Sequence, residues 1–170
     1  TLPVFFRLLY SSGMRTTEAI LLERDDVNLE NGVVSIKRGK GYDQHYAVLH
    51  DTMLDLMRTY DGRMDELVPN RRVFFPTPDD KPHPPAWVTY HFRVLWQSCN
   101  SSHAIPYELR HNYAIENINS WTHQGFAVHD KLLTLSKSMG HRQIGSTLAY
   151  YSLTPAISDI MACTDNEINQ

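Results

Sequence analysis

Apolar residues near the start of the chain recur at helical intervals: Val4, Phe5, Leu8 and Leu9 fall on one face of a helix over Pro3 to Tyr10. Ser11-Ser12-Gly13 supplies the breakers that stop it. Met14 and Arg15 occupy the turn. Thr16 and Thr17 suit the cap of a short second helix through Leu22, with Glu18 in its first turn, where a carboxylate complements the dipole. The period then changes. Val27-Asn28-Leu29, Val33 to Ile36 and Tyr46 to Leu49 read as three short strands, separated by Glu30-Asn31-Gly32 and by Gly39-Lys40-Gly41. Helical spacing returns after Asp51, a good N-cap, with Leu54, Met57 and Tyr60 on one face; a Pro- and Asp-rich loop follows from Pro76 to Pro85. Val88, Phe92, Leu95, Trp96 and Cys99 stripe the next helix and read as core. Further helices are expected around Leu109 to Ile118, Asp130 to Met139 and Ser146 to Tyr151, with an extended loop over Asn119 to His129. The expected fold class is α+β, mostly helical, with one small three-stranded antiparallel sheet, as one domain over residues 1–170.

Composition agrees with one domain that buries its own core, since 42% of the 170 residues are hydrophobic and 21% charged. No run approaches the length of a membrane span and the first residues carry no export signal, so no membrane is expected and the cytoplasm is the default compartment. Cys99 and Cys163 stand far apart, which suggests packed thiols rather than a disulfide framework. The formal net charge of −3 changes the picture more, because domains that grip nucleic acid by bulk electrostatics are usually basic. A nucleic-acid role then requires a few cations to converge on one face, or a further segment to supply the grip. The abrupt opening in an apolar helix fits an excised domain, with an amino-terminal DNA-binding portion expected outside this chain.

The chain has no GxxxxGK[ST] loop, no GxGxxG, no GxSxG elbow and no HExxH, which removes several reaction classes. Its nine histidines are scattered without the repeated spacing of a zinc helix, so no metal is expected. Four separated segments carry the chemistry: Gly13-Met14-Arg15-Thr16-Thr17-Glu18, Arg38-Gly39-Lys40-Gly41, Tyr107-Glu108-Leu109-Arg110-His111, and Met139-Gly140-His141 followed by Tyr150. Each is weak alone. In order and spacing together they resemble the tyrosine recombinase family of phage and transposon integrases, across nearly the whole chain.

That resemblance implies a tyrosine-recombinase catalytic domain that cuts and rejoins double-stranded DNA through a 3′-phosphotyrosyl bond, without metal or nucleotide cofactor. Its active assembly would be a homo-tetramer on two duplexes, with the isolated domain monomeric, serving integration or excision of a mobile element. Arg15 and Arg110 match the positions of two phosphate-binding arginines. Their planar, always-charged forks suit the charge that gathers on a phosphodiester under attack better than lysines would. Lys40, between two glycines of a hairpin turn, would be the general acid for the departing 5′ oxygen, and is favoured over Lys37 for that setting. His141 falls where the family places a histidine or tryptophan on the phosphate; the alternative is a histidine that complements a helix C-terminus. Tyr150, nine residues on, has the nucleophile's spacing, and neighbouring cations should ease the loss of its proton. Tyr151 points about 100 degrees away and is expected to pack.

Two departures stand out. Tyr107 occupies the place of a histidine three residues before the second arginine, and a phenol is a poorer proton shuttle than imidazole. His111 leaves the helix in another direction and reads as structural. The distance from Arg110 to His141 is also long, with Trp121 and Phe126 in the intervening loop. Lys37, Arg38 and Arg142 are candidate DNA contacts. A type IB topoisomerase-like enzyme, or a catalytically silent DNA-binding module of the same fold, remain as alternatives.

Overall fold

The structure is a computed structural model that describes residues 1–37, 44–121, 128–141 and 143–151. The first helix, α1 (Leu2–Ser12), takes Pro3 into its first turn, where a missing N–H costs nothing, and buries Val4, Phe5, Leu8 and Leu9. Gly13 ends it in the left-handed conformation, with φ 65°. After the short α2 (Thr16–Ile20) and a single 3-10 turn at Arg24–Asp26 come β1 (Val27–Asn28), β2 (Val33–Ile36) and β3 (His45–Val48). They form an antiparallel sheet in the order β1-β2-β3, with Val34 opposite Ala47. The β1–β2 turn closes where Asn28 Oδ1 accepts the N–H groups of Glu30 and Asn31. Along β3, His45 and Ala47 face the interior while Tyr46 and Val48 face out.

The third helix, α3 (Asp51–Leu67), is capped one residue earlier than the sequence suggested. His50, not Asp51, is the extended residue, and its ring accepts the Thr52 N–H. Then α4 (Pro85–Cys99) corrects a second expectation: it buries only Val88 and Phe92, while Leu95 is 47% exposed and Cys99 lies at the surface. Its first two turns rest on the core, and the stripe beyond them runs past the core's edge. The remaining helices are α5 (Tyr107–Asn119), α6 (Val128–Ser138) and α7 (Gly145–Tyr151).

Two apolar clusters result. The larger joins α1, α2, the sheet, α3 and the edge of α4, with Phe5 edge-on to Phe75 and Trp87 at ring separations of 5.2 and 5.3 Å. The smaller holds Ala114 and Ile118 of α5, Leu132, Leu135 and Met139 around α6, and Tyr150 of α7. Each fully buried Phe or Leu contributes about 1.5–3 kcal/mol, so the larger cluster dominates stability. A second anchor is ionic: fully buried Arg71 bonds Asp61 and Asp65 of α3, and Arg24 bonds the same two carboxylates. Between the two clusters runs α5, with Leu109 against the first and Tyr113 against the second. Arg110 lies at that seam.

Candidate active site

Two glycine-ended helices build the floor of the site. At the end of α1, a Cβ on Gly13 would lie 2.3 Å from Tyr113 Cδ1, so only glycine lets this turn approach α5 closely. One turn back along α5, Arg110 Nη1 donates to the Gly13 carbonyl at 2.6 Å. At the end of α6, Gly140 has φ 64°, the His141 N–H reaches back to Ser136 O and the Gly140 N–H to Lys137 O. Arg110 Nη2 donates to Met139 O at 2.7 Å and meets His141 Nε2 at 2.9 Å. One guanidinium therefore ties the ends of both helices to α5. It is 2% exposed.

Arg15 precedes the first turn of α2. Its backbone N–H donates to Glu18 Oε2 at 2.8 Å and its Nη1 to Glu18 Oε1 at 2.6 Å. A single buried carboxylate thus closes the helix start and fixes the guanidinium. Arg15 Nη2 donates to Gly140 O at 3.2 Å, so both arginines bond consecutive residues, 139 to 141, of one turn. The Arg15 side chain keeps 26% of its surface exposed.

His141 has a determined tautomer. Guanidinium nitrogens only donate, so Nε2 accepts from Arg110; Nδ1 then carries the proton and donates to Thr147 Oγ1 at 2.7 Å. Burial, then the charges of Arg110, Arg15 and His45, push its pKa down to about 4, which keeps the ring neutral. Burial and the nearby Arg15 charge also lower Arg110, opposed by Glu18, Tyr107 and Tyr150.

Tyr150 packs its ring parallel to His141 at 6.2 Å and edge-on to His111 at 5.3 Å, and is only 7% exposed. Its pKa is pushed up to about 12, first by burial and then by the hydrogen bond and charge of Tyr107, with Arg110 pulling the other way. The expected cationic help is present, but burial and Tyr107 outweigh it. Tyr107, 44% exposed at the start of α5, stacks edge-on against His111 at 4.6 Å. The structural reading of His111 rested on its direction, and that argument does not hold. Positions 107 and 111 share a helix face, and the ring reaches Tyr150, with Nδ1 3.6 Å from Glu108.

Arg15, Tyr107, Arg110, His141 and Tyr150 are thus brought together, while Lys40, Arg38 and Arg142 lie outside the described residues. Lys37 sits apart from this group, its ammonium 2.5 Å from Asp26 Oδ1. Among the described residues no cluster of three or more His, Cys, Asp or Glu could hold a metal. A cleft of about 720 Å³ opens against His45, Gly140 and His141, lined also by Lys131 and Lys137. Sequence reasoning gave Glu18 a place in the first turn of α2 but not its bond to Arg15, which an acid three residues after a helix-initiating arginine could have signalled; it missed Thr147 and His45, which gave no local signal.

The fold is that of tyrosine recombinase catalytic domains. It superposes on the crystal structure of XerA recombinase with a TM-score of 0.73 at 18% identity, covering 92% of this chain and 55% of that one. Against XerH site-specific recombinase bound to difH substrate the score is 0.70 at 20% identity, over 86% and 41%. In sequence, the tyrosine recombinase XerD of Staphylococcus haemolyticus is 27% identical over 84% of this chain and 47% of its own length. The phage integrase family model matches residues 2–156, and the chain belongs to that family. It spans about half the length of the curated relatives it matches.

Proposed function

We propose that this chain is the catalytic domain of a site-specific DNA recombinase in which Tyr150 attacks a phosphodiester. The Tyr150 hydroxyl gives up its proton to solvent as its oxygen forms a bond to phosphorus, the bond to the 5′ oxygen breaks, and a 3′-phosphotyrosyl link results. Its energy is retained, so a second strand's 5′ hydroxyl reverses the step and ligation needs no nucleotide. Arg15 and Arg110 neutralise the non-bridging oxygens, and an arriving phosphate competes for the Arg110 Nη2–H that His141 Nε2 now accepts. Lys40 delivers the proton to the leaving oxygen. Tyr107 hydrogen-bonds the nucleophile and is displaced from it as the phosphate enters.

The observation that carries this reading is that two guanidinium groups, 95 positions apart by the numbering of Arg15 and Arg110 (110 − 15), bond one three-residue turn, with a phenol packed beside it. DNA as partner is supported by membership of the family and by the DNA-bound state of the XerH structure. Further proposals are a mobile element as the setting, a tetramer on two duplexes as the working assembly, and Arg38, Arg142 and Lys37 as backbone contacts. Specificity would rest partly on an amino-terminal region beyond this chain. The test is a nicked suicide substrate that loses the 5′ hydroxyl needed for religation, offered to the full-length protein. Covalent adduct should form and vanish with Tyr150→Phe. A protein that traps none, or traps as much after that substitution, defeats the reading. Relaxation of supercoils without sequence dependence would favour a topoisomerase-like enzyme instead.

A further inference from the structure

Arg15 has two described acceptors for its guanidinium, Glu18 Oε1 and the Gly140 carbonyl. One side chain on a third element touches the residues that supply both. His45, 7% exposed on β3, places Nε2 3.9 Å from Glu18 Oε2, the oxygen of that carboxylate not used by the Arg15 guanidinium. The same ring fills the space beside Gly140: a Cβ there would lie 2.6 Å from His45 Cε1 and 2.7 Å from Nδ1. Its charge also bears on His141. The strand that holds it follows directly on residues 38–43, where Lys40 falls in the sequence.

The geometry assigns His45 as a positioning residue for Arg15, holding Glu18 and the Gly140 turn in the one arrangement that aims the guanidinium at a phosphate. This rests on the strand-transfer reading above and adds a residue to it that none of the four motif segments contains. Two features make a packing role alone insufficient. A spacer against Gly140 would need only volume, yet a polar ring nitrogen faces a carboxylate that is itself 0% exposed. The carboxylate it faces is the one that fixes both the backbone and the side chain of Arg15.

The experiment compares single-turnover adduct formation by the full-length protein on a phosphodiester suicide substrate and on one with a neutral methylphosphonate at the cleaved position. His45→Phe keeps volume and removes the nitrogen; His45→Gln and His45→Asn keep a polar group. On the phosphodiester, His45→Phe should lose about tenfold to a hundredfold in rate, as expected for a misaimed group, with DNA affinity little changed. His45→Gln should recover most of that loss. On the methylphosphonate, which lacks the charge Arg15 neutralises, the variants should approach the wild-type rate. In an Arg15→Ala background His45→Phe should add nothing further. Should His45→Phe fail to fold, His45→Leu, which also lacks the nitrogen, carries the same comparison of substrates. Wild-type protein that forms no adduct sinks the strand-transfer reading. Wild-type adduct with His45→Phe or His45→Leu equally slow on both substrates, or unaffected on both, overturns this assignment alone.

Discussion

Replacing Arg110 should unfold the site before it can be asked about chemistry. The side chain is 2% exposed and donates to Gly13 O, Met139 O and His141 Nε2. In Arg110→Ala these acceptors lose their donor inside the protein. A buried polar group left unsatisfied costs about 1–3 kcal/mol, and breaking a buried charged network about 3–5 kcal/mol in all. Two offsets reduce the larger figure: Arg110 carries an unpartnered Nε, and burial beside Arg15 already disfavours its charge. A net loss of about 3 kcal/mol follows, a large share of the roughly 5–15 kcal/mol that holds a typical domain together. With a urea slope of about 1–3 kcal/mol per molar, the midpoint should fall by about 1.5 M, and Arg110→Lys, able to reach one acceptor but not three, by about half as much. Urea unfolding of the three proteins, followed by circular dichroism, reads this directly. An Arg110→Ala protein within about 0.5 kcal/mol of wild type would show that the guanidinium does not tie the two helix ends together, since surface changes fall in that range.

Three other outcomes are expected. Tyr107→Phe removes a hydrogen bond and a charge that raise Tyr150, so its pKa should move from about 12 toward the ordinary phenol value near 10 in an ultraviolet titration that uses Tyr150→Phe for assignment; an unmoved value would separate the two phenols. His141 has a folded pKa of about 4 against about 6.5 unfolded, so the unfolded state takes up its proton first and stability falls as pH drops from 6.5 toward 4. Discounted for partial exposure, this amounts to about 1 kcal/mol between pH 7.5 and 5, and His141→Gln should flatten that part of the urea profile. Arg71→Met, far from the site chemistry, should lower stability in urea by about 1–3 kcal/mol, since Asp61 and Asp65 lose one partner and keep Arg24, yet leave the adduct rate unchanged at low temperature where the protein stays folded.

What could be read from the sequence divides along a physical line. Helices and strands whose apolar period is local, such as Val4, Phe5, Leu8 and Leu9, came through, and so did the alternation that buries Val34 and Ala47. The stripe on α4 misled because periodicity says which face is apolar, not how far a neighbour extends to cover it; Leu95 and Cys99 lie beyond that cover. The cap at His50 was hidden because a histidine ring is an unusual acceptor there and Asp51 is the commoner choice. For the site, the arginines were legible because a clamp for phosphate needs that residue type. The glycines needed the fold before their role was visible, as each is demanded by a ring from elsewhere, Tyr113 against Gly13 and His45 against Gly140. The place of His111 beside Tyr150 was hidden because its direction was not compared with that of Tyr107, which shares its face.

The acidic net charge, which counted most heavily against a DNA enzyme, is an average over the chain and not the charge of the site. Glu23 faces Arg72, Asp26 faces Lys37, and Asp61 and Asp65 are shared between Arg24 and Arg71, so these acids are spent on structure. At the site, Glu18 cancels Arg15, while Arg110 has only neutral described acceptors, two carbonyls and an imidazole held uncharged. Among the described residues no carboxylate bonds Arg110, so its buried positive charge is offset only in part, by Glu18, in a region where each charge counts for more than it does in water. An oxyanion is the group that relieves it. The Tyr150 oxygen, which could become one, is held protonated by burial and by Tyr107. Under the proposed function, a phosphodiester would bring that negative charge on arrival. In the proposed reaction, attack by Tyr150 with loss of its proton would add to the phosphate a charge that Arg15 and Arg110 are placed to receive.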